Sequence, residues 1–269
     1  MAYRFKTART LMCGPMAAWC LVILAPVAPL RAGAALPLET AAAAFKPYVL
    51  DQISSCLKSV KSMGERVAAH DLAGAQQSWL EARSGWEGSE VITNEFFPDL
   101  DRKIDAWPDA EKGFHAIEAK LFGAHDVKVL PETRELISNL TEFERQLRAS
   151  TLTAQGLLNG TAKLIYEIGE NKAEGGESPF SGNSLAEMRV NVASIAAAYQ
   201  QVFAPLTKKA NADLARVFAK DLADVQALVS VPTLQDLDQV RLRDASESLV
   251  NDLAIVGKEA GLERPRLGN

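Results

Sequence analysis

The chain has 269 residues, 48% hydrophobic and 23% charged, with a formal net charge of −5 and three cysteines. That is ample apolar material for one domain with a substantial core, or for two packed subdomains. An acidic chain offers no phosphate-neutralising patch, so nucleic acid is excluded as an expected partner.

Arg4, Lys6 and Arg9 precede an apolar run from Leu11 to Leu30, and Ala32-Gly33-Ala34 places small residues where a signal peptidase cuts. Pro15, Pro26 and Pro29 oppose a stable spanning helix, and no acidic residue occurs before Glu39. Residues 1–34 therefore read as a cleavable secretory signal, and residues 35–269 as the exported domain. Neither Cys13 nor Cys20 follows the small residue that a lipoprotein signal needs. Cleavage removes four basic and no acidic side chains, which takes the net charge from −5 to −9. Only Cys56 then remains, so no intramolecular disulfide can form, and its place in an apolar pattern makes it a small buried side chain.

Beyond the signal, helix formers dominate and no run alternates as a strand does. A first helix is expected from about Ala41 to His70, with Val49, Ile53, Leu57, Val60 and Val67 as its apolar stripe. Asp71 caps a second, running through Trp79, Ala82 and Trp86 to about Ile92. The stretch from Asn94 to Asp109, with its prolines and aspartates, reads as irregular or briefly helical. A third helix runs from about Pro108 to Phe122, ended by Gly123. Helices near 131–149 and 151–171 follow, and Glu174-Gly175-Gly176-Glu177-Ser178-Pro179 breaks the pattern. Ser184 and Glu187 have the spacing of a capping box opening a helix that Pro205 ends. Two more helices, near 210–229 and 233–257, complete seven or eight: an all-α bundle.

Within the third helix, His115 stands three residues before Glu118, so both lie on one face with Cβ atoms about 5–6 Å apart. The spacing lets an imidazole and a carboxylate share a cation, and alone it is a weak signal. Glu87 and Glu90 end the second helix, and Asp99, Asp101 and Asp105 fill the acidic link to His115. Helical di-iron proteins converge carboxylates and histidines in this way, and a single histidine-bearing motif favours one ion. Mixed nitrogen and oxygen donors suit iron, zinc or manganese rather than copper(I). His70 and His125 sit at expected helix ends and more naturally meet terminal carbonyls or solvent. No Gly-x-Ser-x-Gly elbow, phosphate-binding loop or His-Glu-x-x-His pattern occurs.

Gly113-Phe114-His115-Ala116-Ile117-Glu118 resembles the Gly-x-His-x-x-Glu motif of the imelysin-like family, in particular the helical domain of the exported iron-uptake component of Efe-type transporters. Arg83, Trp86-Glu87 and Glu90 are similar to that family's run of arginine, aromatic-glutamate and glutamate. Asp99-Leu100-Asp101-Arg102-Lys103-Ile104-Asp105 resembles its acidic segment, Gly176-Glu177-Ser178-Pro179-Phe180-Ser181 its Gly-Glu-x-x-Tyr-Ser loop, and Asn191-Val192 an Asn-Val pair. The resemblance implies two packed four-helix bundles with a metal cleft between them, and a periplasmic protein that binds iron or another divalent cation for uptake. It implies His115 and Glu118 as ligands, then Glu90 and Asp101, then Glu87 and Asp105, with Arg83 balancing the acids. Phe180 departs from the usual tyrosine and Ser184 from aspartate, and the cupredoxin-like domain of larger members is not expected here.

The expectation is thus an exported, non-catalytic metal-binding protein, carrying iron, or else zinc, to a membrane iron permease. The family's history leaves two competitors. One is a metallopeptidase, in which a spare carboxylate acts as base on metal-bound water. The other is a binder of acidic polysaccharide such as alginate, which needs a basic groove.

Overall fold

The structure is a computed structural model that describes residues 32–106 and 111–267, with side chains from Pro37 onward. Residues 1–31, which carry nearly all of the expected export signal, and Pro108, the expected start of the third helix, lie outside the described residues. All regular structure among the described residues is helical, and none of these helices is long and apolar enough to cross a membrane.

Helix α1 (Ala32–Ala68) buries Val49, Ile53, Cys56, Val60, Met63 and Val67, spaced three or four residues apart along one face. That face packs on α2 (Leu72–Glu87) and α6 (Leu130–Ala149). Asp71 caps α2 as its position predicts, accepting a 2.9 Å hydrogen bond from the Gly74 amide.

The second helix stops five residues before its expected end. Ser89 closes it by donating twice to the Trp86 carbonyl, from its amide at 2.8 Å and its hydroxyl at 2.6 Å. The chain turns there into α3 (Glu90–Phe96), so Glu87 and Glu90 sit on either side of a bend rather than along one helix. A brief helix, α4 (Pro98–Ile104), occupies the acidic link. The third expected helix begins at Gly113 as α5 (Gly113–Glu118), widens into a π turn (Ala119–Gly123), and ends at Gly123 as anticipated.

Helix α7 (Ala154–Glu170) packs on α3 and on α11 (Gln239–Glu259). A Cβ on Gly160 would fall 2.1 Å from the Val91 carbonyl oxygen, so α3 and α7 touch backbone to backbone only because this residue is glycine.

The capping box at Ser184 does not form. Ser184 is the first residue of α8 (Ser184–Ala198); its hydroxyl accepts from the Ser178 amide at 3.1 Å and donates to the Gly175 carbonyl at 3.1 Å. Glu187 turns inward instead of back onto the backbone. Nor does Pro205 end the helix. A π turn (Tyr199–Phe203) carries α8 into α9 (Ala204–Ala210), where proline sits in the first turn and its missing N–H removes no hydrogen bond. Helix α10 (Ala212–Leu228) is capped by Asn211 and packs on α11.

The result is the expected all-α fold. Helices α1, α2, α5 and α6 form one group, α7, α8, α10 and α11 the other, and the seam between them is α2 against α8 and α3 against α7.

Candidate metal centre

The buried stripe of α2 carries charge. Arg83 and Glu87 are both fully buried, four residues apart on the same face as Trp79 and Trp86. Such a charge can stay ionised inside a protein only when paired. The Arg83 guanidinium donates Nε to Glu187 at 3.0 Å, and its two terminal nitrogens to Asp105 and Glu87. It lies over the Phe114 ring at 5.2 Å and the Trp79 ring at 5.9 Å. Trp86 fixes the other oxygen of Asp105 through a 2.6 Å bond from its indole N–H.

Lys172, on the short 3₁₀ turn after α7, reaches the same acids from the opposite side. Its Nζ lies 2.8 Å from Glu87, 2.7 Å from Glu90 and 3.0 Å from Glu177. Asn191 of α8 donates at 2.8 Å to both Glu87 and Glu90.

His115 enters from α5. Gly113 lets it do so: φ is +74°, and a Cβ there would stand 2.3 Å from the Ile104 carbonyl oxygen, one residue before Asp105. The His115 Nε2 lies 3.1 Å from Asp105, and Nδ1 lies 3.7 Å from Glu118. The Glu118 Oε1 is already engaged by the Ser181 amide and hydroxyl, each at 2.8 Å, and by the Phe180 amide at 3.2 Å. The loop thus holds one oxygen of Glu118, and the other, Oε2, faces the imidazole. Glu118 holds the imidazole from behind while Nε2 faces Asp105. Substituting Gly113→Ala is expected to cost about 2–4 kcal/mol, from the left-handed backbone and the clash together. Urea unfolding measures this, and ion binding should weaken with it because Asp105 shifts.

Two sets of donor atoms converge, each with all members within 4.8 Å of one another: Asp105, His115 and Glu177; and Glu87, Glu90, Asp105 and Glu177. A cleft with about 160 Å³ of space open to water reaches them. Its wall brings Glu90, Asp101, Asp105, Glu167 and Glu177 against Lys163 and Lys172.

Negative charge exceeds positive here, and the titrations reflect it. Burial pushes the Glu177 carboxyl up to about 7 despite Lys172 beside it. Burial and the neighbouring Glu87 raise Glu90 well above the carboxylate range. Glu87 goes the other way: against the cost of burial, Arg83 and Lys172 hold it down to about 2. Burial opposes the charged form of His115, but the Asp105 carboxylate outweighs it and raises the imidazole to about 9. Without an ion, the cluster stores protons.

Of the six residues expected from sequence, His115, Asp105, Glu87 and Glu90 come together in these sets. Asp101 lines the cleft and accepts from Asn94 at 3.2 Å, and Glu118 stands behind His115; neither belongs to a converging set. His70 and His125, at helix ends with φ of +57° and +51°, belong to neither set as well. Glu177, shared by both sets, was quoted above only for its loop and not as a site residue, and Lys172 not at all. The sequence signals for Glu177 were its setting, an acid in a glycine-rich break between helices, and its place in the Gly-Glu-x-x-Tyr-Ser resemblance.

The chain matches the family described as Imelysin (peptidase M75) over residues 41–256. It is 27% identical over 249 residues to the "Iron uptake system component EfeO" of Yersinia pseudotuberculosis, covering 85% of this chain and 66% of that protein. To the protein of the same name from Escherichia coli it is 25% identical over 253 residues, covering 87% and 67%. The chain thus spans about two thirds of the length of these curated relatives. A crystal structure from Parabacteroides distasonis, named as an iron-regulated protein A precursor, superposes with a TM-score of 0.70 at 18% identity, covering 84% of this chain and 95% of that one. At that identity the likeness is one of fold.

Proposed function

The chain belongs to the imelysin family, and from that premise we propose that it is an exported protein that captures iron in the periplasm and presents it to a membrane permease. The observation that carries the reading is the convergence of Asp105, His115 and Glu177 within 4.8 Å in a buried, acid-rich seam. One imidazole and two carboxylates are a donor set suited to iron and acceptable to zinc. Asp105 and Glu177 supply charge, His115 supplies Nε2, and Glu118 fixes the ring that carries it. Glu87 and Glu90 extend the set, and Asp101 stands in the cleft through which an ion enters. The relatives named as iron uptake components support iron as cargo.

Calorimetric titration of the ion-free protein with ferrous, ferric and zinc ions tests this. One ion should bind per chain, and the double variant Asp105→Asn with His115→Ala should lose about 100-fold or more in affinity, since each removes a direct donor. Binding equal to wild type would refute the assigned centre.

The family's peptidase label keeps one competing reading in view, in which a carboxylate beside the ion acts as base on bound water. Chelator-sensitive cleavage of a peptide library would favour that alternative. The acidic lining of the cleft opposes an acidic polysaccharide there.

A further inference from the structure

Among the buried acids one cation is already seated, and it belongs to the chain. The Lys172 side chain is 5% exposed, and its ammonium touches Glu87, Glu90 and Glu177 at 2.7–3.0 Å. The four-acid set of Glu87, Glu90, Asp105 and Glu177 is therefore a cation position with a tethered occupant.

We propose that Lys172 fills a second cation position adjoining the His115 position, and so holds this centre at a single ion. The inference rests on the metal-binding reading above. Asp105 and Glu177 belong to both donor sets, so the two positions share carboxylates, as neighbouring metals do in two-metal sites. An ammonium satisfies the Glu87–Glu90 side at hydrogen-bonding distance, while metal–oxygen bonds of about 2.0–2.2 Å need only a small inward movement of the same atoms.

A second observation points to the same spot. Asn191 is fully buried, its Nδ2 donates to Glu87 and Glu90, and its Oδ1 has no hydrogen-bond partner among the described residues. With the ammonium gone, a turned amide presents that oxygen to a cation as a neutral donor. Lys172 also has somewhere to go: it lines the cleft beside Glu167 and Asn171. The consequence is functional. An occupant that cannot leave the chain limits the cargo to one ion and keeps the cluster folded while it is empty.

Native mass spectrometry with zinc as a redox-silent probe reads the stoichiometry. Wild type and Lys172→Arg should bind one zinc, and Lys172→Met two. One zinc in Lys172→Met, or two in wild type, overturns the inference. If wild type binds none, the functional reading itself fails and takes the inference with it. Should Lys172→Met not fold, zinc-soaked crystals of wild type decide: one anomalous peak at Asp105, His115 and Glu177, with Nζ still on Glu87 and Glu90, supports the proposal. A peak at the Glu87–Glu90 position overturns it.

Discussion

Replacing Arg83 by methionine is expected to be the most damaging single change in the chain, costing at least about 3–5 kcal/mol of stability. Methionine preserves most of the volume and removes the guanidinium. Glu87, Asp105 and Glu187 then lose a shared partner in a place where water cannot replace it, because Arg83 and Glu87 are fully buried and the others nearly so. For a domain of this size each kcal/mol is worth about 2–4 °C in melting temperature, so a fall of about 6–20 °C follows. Arg83→Lys should rescue little, since one ammonium cannot serve three carboxylates in three directions. Arg216, paired with Asp213 on the surface with its side chain 79% exposed, is the control: Arg216→Met should leave the melting temperature unchanged. Equal effects for the two arginines would mean that the buried network does not hold the seam together.

Arg83 also marks the limit of what the sequence discloses. Its position on the stripe of Trp79, Ala82 and Trp86 is a local fact, readable from helical spacing, and so is the Asp71 cap. The all-α fold was legible for the same reason: 3.6-residue periodicity runs through nearly every segment. Apart from Glu87, one turn along the same helix, what faces Arg83 is not local. Glu187 and Glu177 lie about a hundred residues away in sequence, and which acids meet a buried cation depends on how α2 and α8 cross. Ser184 and Glu187 show the same limit in reverse. Their spacing satisfies the local rule for a capping box, but the Ser178 amide claims the serine and Arg83 claims the glutamate, and the tertiary bonds win. Pro205 misled differently, because a proline that cannot sit inside a helix can still begin the next one after a π turn. The motif at Gly113 to Glu118 was legible from spacing, and Nδ1 of His115 lies 3.7 Å from Oε2 of Glu118. What spacing cannot disclose is that the loop at Phe180 and Ser181 holds the other oxygen of Glu118, and that Asp105 and Glu177 converge on His115 from distant segments.

Ion binding should release protons, and its affinity should climb with pH. At neutral pH His115, raised to about 9, carries a proton, and Glu177, raised to about 7, carries one about half the time. Both must give it up to serve as donors, so one to two protons leave per ion, and affinity rises by up to about tenfold per pH unit for each proton. Calorimetry in buffers of different protonation enthalpy counts them directly. The ion-free protein should show the complementary behaviour. Glu177 binds its proton more tightly folded than unfolded, so its contribution is complete below about 4.5 and is lost as pH rises through about 7. His115 acts in the same direction, complete below 6.5 and lost through about 9. Glu87, held down to about 2, contributes above 4.5 and fails only in strong acid. The ion-free protein is therefore most stable in weak acid and loses stability progressively from about pH 4.5 to about 9, whereas saturating ion replaces the protons and removes that decline. Melting curves from pH 5 to 9, with and without ion, decide the matter. Parallel curves with no proton release would mean that the acids titrate independently of the ion, and the centre would have to be sought elsewhere.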